Sequence, residues 1–558
     1  MPPGTPLKPS GCRSSADYVR VAIDRNQGRS IVMSALGVVA SEHPLASQAG
    51  ASVLARGGNA VDAAIAANAV MGVVAPMMNG IGGDLFAIVY DAPSGELHGL
   101  NGSGGAPAAL TIDGLRATGV TSMPQTGILS VTVPGAVAAW TQLLERFGEL
   151  SLSDVLLPAI QIADDGFPVP EITALEWAGA QSLLRGDPEA ARVYLPDGKA
   201  PAAGTIFRNP DLAATYRALA FEGRVAFYRG DIARRILLCS RRHHGALAAG
   251  DLEKYDGEWV TPLETTYHGW TVYELPPNGQ GIAALMMLNL LEQSPLSSYG
   301  HNSIEALHTL IEAKKLAYAD LARCVCDPLF HDVEVDALLS KDFAAARARQ
   351  IDPGRANPEV HPGRLPGKGS DTTYLSVADR EGNMVSLIQS NFANFGSGLV
   401  PEGAGFALQS RGALFSLDAG VRNALAPGKR PLHTIIPGFM ANGDVRIAFG
   451  IMGGWNQSQA HAQFVSNVVD HGMNIQAALE APRVTKLTFE GNDVIAESRI
   501  PEAVIRGLEA KGHEVEVCGA FSSLVGGGQS VMRDAAAGVN FGASDPRKDG
   551  AAIPEPVL

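Results

Sequence analysis

The chain has 558 residues, 46% hydrophobic and only 18% charged, which is ample material for a large buried core and excludes a largely disordered polymer. Its formal net charge of −14 opposes binding to nucleic acid or to an anionic membrane surface. Five scattered cysteines (Cys12, Cys239, Cys324, Cys326 and Cys518) make no disulfide framework, and Cys324 with Cys326 is too little for a zinc site.

The first thirty residues hold no apolar run, because Asp17, Arg20, Asp24 and Arg25 interrupt it, and residues 1–32 read as a ragged lead-in. No stretch approaches the ~20 apolar residues of a membrane span, so a cytoplasmic location is expected. From Ser34 the chain becomes dense: a strand over 35–40, then a helix from about Pro44 to Ala55. Gly57-Gly58-Asn59 breaks that helix, and an alanine-rich second one follows from Ala60 to about Val74. The loop Asn79-Gly80-Ile81-Gly82-Gly83-Asp84 leads into a strand from Leu85 to Tyr90 that turns back at Ala92-Pro93-Ser94-Gly95. Those glycines precede a strand instead of following one and opening a helix, which argues against a dinucleotide-binding turn.

Helical patterns occupy much of 135–325. The clearest runs from Ser303 to about Arg323, where Ile304, Leu307, Leu310 and Ile311 keep helical spacing behind Ser303 as N-cap. Residues 352–370 are rich in proline and glycine and poor in large apolar side chains, as in an exposed linker where cleavage is tolerated. Directly after it, Asp371 to Asp379 and Met384 to Ser390 read as a β-hairpin, and Phe439 to Gly450 as a second one turning at Ala441-Asn442-Gly443-Asp444. No internal repeat is present. His243-His244 follow Arg241-Arg242 and read as a solvated basic patch, and no Walker loop, Gly-x-Ser-x-Gly elbow or HExxH motif occurs.

A strand that opens on threonine after a cleavable linker has a specific chemical use. Cleavage before Thr372 gives one residue both a nucleophilic hydroxyl and a free α-amine. That amine titrates near ~7.7, so roughly a sixth is neutral at pH 7 and able to take the hydroxyl proton.

Several ordered motifs surround that threonine: Ser41-Glu42-His43-Pro44-Leu45-Ala46-Ser47, Gly57-Gly58-Asn59-Ala60-Val61-Asp62-Ala63-Ala64 and Gly80-Ile81-Gly82-Gly83-Asp84. Val133-Pro134-Gly135 with Trp140, Ala317-Tyr318-Ala319-Asp320 and Asp327-Pro328 follow. Then come Thr372-Thr373, Asp379 with Gly382-Asn383, Phe395-Gly396-Ser397-Gly398, Met452-Gly453-Gly454 and the tail Asp545-Pro546-Arg547-Lys548-Asp549-Gly550. With these the chain resembles the γ-glutamyltransferase family of N-terminal-nucleophile hydrolases from about Ser34 to its C-terminus. The resemblance implies an α+β fold, a four-layer αββα sandwich. It also implies a precursor that cleaves itself between Asp371 and Thr372 into a large subunit, 1–371, and a small one, 372–558, which stay intertwined.

The family's roles carry over as implications. Thr372 aligns with the nucleophile, attacking an amide carbonyl and passing the acyl group to water or an amine. Ser390 falls where a hydroxyl orients that nucleophile, Gly453 and Gly454 fall on the oxyanion pair, and Thr373 is expected just ahead of the strand proper. No cofactor and no metal are implied.

Departures from the family's glutathione-cleaving members bear on substrate. An arginine that binds the glutamyl α-carboxylate is replaced by Ser103, in Asn101-Gly102-Ser103-Gly104-Gly105-Ala106-Pro107. No aspartate precedes Phe415-Ser416 to bind an α-ammonium, a tandem serine is replaced by His433-Thr434, and an asparagine near the nucleophile by Phe392. Each lost charge-assisted hydrogen bond is worth about 1.5–3 kcal/mol. The replacements resemble the branch that contains oxamate amidohydrolase. The expected substrate is therefore a small carboxylate-bearing amide, with Arg411 either a carboxylate clamp or one half of a structural ion pair, and His433 and Thr434 beside it. A γ-glutamyl hydrolase or transferase is the alternative, and a non-enzymatic protein retaining the fold a third. A dimer of the cleaved unit would suit the low charged fraction.

Overall fold

Two seven-stranded antiparallel sheets face each other and helices cover both outer faces, a four-layer αββα arrangement in a computed structural model that describes residues 27–360 and 371–557. The first sheet runs, edge to edge, through Val32–Ser34, Val539–Ser544, Gly528–Asp534, Val445–Ile451, Gly438–Asn442, Trp270–Glu274 and Leu263–Tyr267. The second runs through Ala551–Pro554, Val38–Ser41, Asp371–Ala378, Met384–Phe392, Asp84–Asp91, Glu96–Gly102 and Glu258–Val260. Each sheet mixes strands from both sides of residue 371.

The period-2 alternation of the strands sorts their side chains between two cores. Phe86, Ile88, Tyr374, Met384 and Ile388 point into the space between the sheets, where Phe439, Ala448 and Val531 meet them. Leu85, Ala87, Leu375, Val377, Val385 and Leu387 point outward, against the helices Pro44–Ala55 and Ala60–Val74. The other sheet is covered by Gly281–Leu291, Ile304–Cys324 and Gln457–Val469. Alanine dominates the buried helix Ala60–Val74, and small side chains let it lie close to the sheet.

The N-caps follow the sequence. Asn59 and Asp62 form a capping box, Ser303 accepts from Ala306 N, and His43 accepts from Leu45 N at the start of its helix. Both expected hairpins are present, with the first extending to Phe392. The expected strand over 35–40 begins later, at Val38. Three short strands between 258 and 274 interrupt the stretch expected to be mostly helical. Thr373 lies within its strand, not ahead of it, pairing with Gln389. Residues 361–370 of the expected linker, Cys12 and most of the N-terminal lead-in lie outside the described residues. No helix among the described residues is long and apolar enough to cross a membrane.

Candidate active site

The second sheet brings three polar side chains to one end of the cleft between the sheets. Thr372, Ser390 and Asp84 continue the rows that hold Tyr374, Ile388 and Phe86, and all three are buried. Ser390 pairs directly with Asp84 across neighbouring strands, and the Thr372 hydroxyl donates to Ser390 Oγ at 3.3 Å. The Phe392 amide also donates to Ser390 Oγ, at 2.8 Å, which fixes that hydroxyl. The ladder between Asp371 and Thr373 is irregular, so Thr372 sits on a break in strand pairing, directly at the expected cleavage point. Gly83 lets this strand come close: a Cβ there would run into the Ser390 carbonyl.

The glycine pair comes from the other sheet. Phe449 O lies 3.5 Å from Ser386 Oγ, and Ser386 is the cross-strand partner of Ser376, while Gly450 packs on Tyr374. The chain therefore advances from 449 to 454 as the opposite strand retreats from 376 to 372, and Met452-Gly453-Gly454 arrives at the Thr372 end. Gly453 has φ 121° and Gly454 φ 57°, backbone conformations that favour glycine. Gln280 Nε2 donates to Gly454 O at 2.8 Å and to Thr434 O at 2.5 Å, and Tyr318 OH donates to Gln280 Oε1 at 2.7 Å. One side chain thus ties the glycine turn to the segment carrying His433 and Thr434.

Arg411 and His433 converge on Asp84. Arg411 Nε donates to Asp84 Oδ2 at 3.2 Å and Nη1 to Thr434 Oγ1 at 2.7 Å, while its guanidinium lies 4.9 Å over the Phe392 ring. Its Nη2 is buried with no hydrogen-bond partner. Burial lowers the Arg411 pKa to about 10, with Asp84 opposing, so it stays cationic near neutrality. His433 Nε2 donates to the same Asp84 oxygen at 2.9 Å, because its Nδ1 accepts from the Ile435 amide. Burial, then the Arg411 charge, pushes His433 down to about 4, a neutral imidazole at physiological pH. Arg411 is thus ion-paired to Asp84, His433 is tied to the same carboxylate and to its own loop, and Arg411 keeps Nη2 without a partner.

Ser103 is buried at the rim of this cluster, donating to Asn101 Oδ1 at 2.7 Å and approaching Asn278, whose Nδ2 also holds the Pro431 carbonyl. Asp84, Asn278 and Gln280 have no assigned part in the sequence reading. Asp84 closes a quoted glycine motif, and Pro276-Pro277-Asn278-Gly279-Gln280 is a turn signal with two amides, the one available hint.

Glu42, one residue past the strand Val38–Ser41, is buried and accepts from Tyr374 N at 2.8 Å; burial lifts it to about 8, with Lys548 opposing. Among the described residues the one grouping of metal-ligand types is His308, Glu312 and His513. It is closed by its own bonds: the imidazoles meet at 2.8 Å, and Glu312 is held by Lys315 at 2.7 Å and by the Asn357 amide. His43 caps a helix, His244 is exposed as expected, and His243 is half-buried with Nε2 3.5 Å from the buried Asp187.

A threonine on a strand start inside an αββα sandwich, facing a glycine turn, defines the N-terminal-nucleophile hydrolase class. Residues 46–555 match the family described as gamma-glutamyltranspeptidase, and the chain belongs to that family and is an enzyme of its hydrolase class. It is similar to the glutathione hydrolase-like YwrD proenzyme of Bacillus subtilis, 38% identical with 92% of this chain and 98% of the relative covered. The oxamate amidohydrolase proenzyme of Klebsiella pneumoniae is 34% identical, over 93% of this chain and 98% of its own. Among solved structures, cephalosporin acylase from Bacillus halodurans superposes with a TM-score of 0.89 at 40% identity, covering 96% of this chain and 100% of that one.

Proposed function

We propose that the chain cleaves itself between Asp371 and Thr372 and then hydrolyses an amide whose acyl part carries a carboxylate and no ammonium, as the name of its oxamate-cleaving relative suggests. The observation that carries the reading is the buried Arg411, with Nη2 unpartnered beside a threonine hydroxyl network. A buried donor left unpaired costs about 1–3 kcal/mol, and a substrate carboxylate would satisfy it with a charge-assisted bond.

In this reading the Thr372 amine takes the proton of its own hydroxyl, and Oγ1 bonds to the amide carbon. The Gly453 and Gly454 amides meet the oxyanion, and one such donor is worth about 3–4 kcal/mol. The C–N bond breaks, the leaving nitrogen takes the proton, and water then breaks the Thr372 ester. Ser390 Oγ positions the Thr372 hydroxyl for the attack. Ser103, too short and uncharged to clamp a carboxylate, and His433, neutral and committed to Asp84, shape the pocket instead. The name of the Bacillus subtilis relative favours a second reading, a γ-glutamyl substrate, but among the described residues the carboxylate beside Arg411, Asp84, is already taken up by four donors.

A denaturing gel of purified protein tests the first step. Two bands are expected, the smaller beginning at Thr372, and Thr372→Ala is expected to give a single band and no activity. A wild type that stays whole, or a processed enzyme that turns over γ-glutamyl-p-nitroanilide and not oxamate, overturns the reading.

A further inference from the structure

Asp84 is the hub of this buried cluster, and its hydrogen-bond capacity is full. A carboxylate offers about four lone-pair sites. Oδ2 receives His433 Nε2 at 2.9 Å and Arg411 Nε at 3.2 Å; Oδ1 receives Gln409 Nε2 at 2.9 Å and the Gly104 amide at 3.4 Å. Asp84, Gln409, Arg411 and His433 are all fully buried. Three remote stretches, at 104, 409–411 and 433, are thereby locked to one carboxylate next to Ser390.

We propose that Asp84 is the specificity-determining, positioning residue of this site: it turns the Arg411 guanidinium so that only the Nη2 edge is left for the substrate, and, being saturated, it has no acceptor for an α-ammonium. This rests on the carboxylate-amide reading above and deepens it. The Nε edge of Arg411 is consumed by Asp84 and Nη1 by Thr434. The cluster therefore offers one charged donor corner, Arg411 Nη2, and its carboxylate is already taken. An acyl group with a carboxylate and an otherwise apolar chain pairs fully. An α-amino acyl group adds a cation that must be desolvated without a partner, a cost large enough to exclude it.

Three chromogenic amides separate the terms. Glutaryl-p-nitroanilide carries the carboxylate, γ-glutamyl-p-nitroanilide adds the α-ammonium, and butyryl-p-nitroanilide lacks both. Processed wild type is expected to prefer glutaryl over each of the others by about 100-fold in kcat/KM. In Asp84→Asn the KM for the glutaryl amide should rise by about ten-fold or more, and its preference over butyryl should collapse to within about three-fold. A purely structural role would lower kcat on all three alike and leave the preference intact, which overturns the proposal. So does a wild type without the glutaryl preference, absence of turnover of all three included.

Where Asp84→Asn fails to fold or process, Gln409→Ala decides. It frees one Asp84 lone pair, and the γ-glutamyl to glutaryl ratio is expected to rise about ten-fold; an unchanged ratio overturns the proposal. A wild type that never splits at Thr372 instead sinks the underlying function, which the gel reports separately.

Discussion

Two buried arginines, Arg547 near the C-terminus and Arg411 beside the candidate nucleophile, are equally hidden and differ in how their donors are used. Arg547 spends its whole fork. Nε and Nη2 grip Glu497 at 2.8 and 2.6 Å, Nη1 reaches Leu479 O and both oxygens of Asp545, and Nη2 also reaches Ala481 O. Arg483 adds a second cation on Asp545 at 2.6 Å. Arg411 meets one carboxylate, one hydroxyl and one aromatic face, and Nη2 meets nothing. Burial of a charge therefore does not mark a site. A filled fork belongs to architecture, here the tail folded down between two strands, whereas an unfilled one inside a closed interior is an invitation to a ligand.

Breaking the filled cluster should do the most damage. Arg547→Met leaves Glu497 and Asp545 buried with part of their compensation gone, a change that costs about 3–5 kcal/mol in comparable pairs. The expected result is little soluble protein, or a large fall in melting temperature, with poor processing on the gel. Normal yield and melting temperature would mean that burial, not saturation, is what the two clusters share.

Breaking the unfilled one should separate stability from activity. Arg411→Met leaves Asp84 with His433, Gln409 and the Gly104 amide, so its melting temperature is expected to fall clearly less than that of Arg547→Met. Its kcat/KM on glutaryl-p-nitroanilide should fall about 100-fold, the worth of a charge-assisted pair, with butyryl turnover within about three-fold. Equal losses on both substrates would demote Arg411 to a second Arg547.

How much of this contrast the sequence carried depends on how local each feature is. The helices Pro44–Ala55 and Ala60–Val74, the cap at Ser303 and the hairpin after the linker are written in spacing and turn residues that lie within a dozen positions. The strands at 258–260, 263–267 and 270–274 are short edge or near-edge elements whose pattern is too brief to stand out from helical surroundings. Thr372, Ser390, Gly453 and Gly454 were reachable through ordered motifs. Asp84 was not: its meaning needs Arg411 and His433, 327 and 349 positions away, folded against it. Gln280 likewise acquires a role only when Thr434 and Gly454 arrive beside it.

The smallest effect distinguishes the clusters by pH. His433 is held at about 4 by burial and by Arg411, against about 6.5 when unfolded, so folding keeps it neutral where the unfolded chain takes up a proton. A depressed pKa gives stability that is complete above 6.5 and is lost as pH falls toward 4. At pH 5.5 the loss from this one group is on the order of 1 kcal/mol. Other buried histidines, among them His43 and His461, are shifted the same way, so the wild-type curve alone does not isolate His433. The difference between wild type and His433→Asn does: urea unfolding at pH 7.5 and 5.5 should show the variant losing on the order of 1 kcal/mol less on acidification. In the Arg411→Met background the His433 pKa should rise, because the Asp84 carboxylate then acts on it unopposed, and the His433→Asn difference should shrink. An undiminished difference would mean that Arg411 does not govern the charge of its neighbour, and that the two side chains share Asp84 without sensing each other.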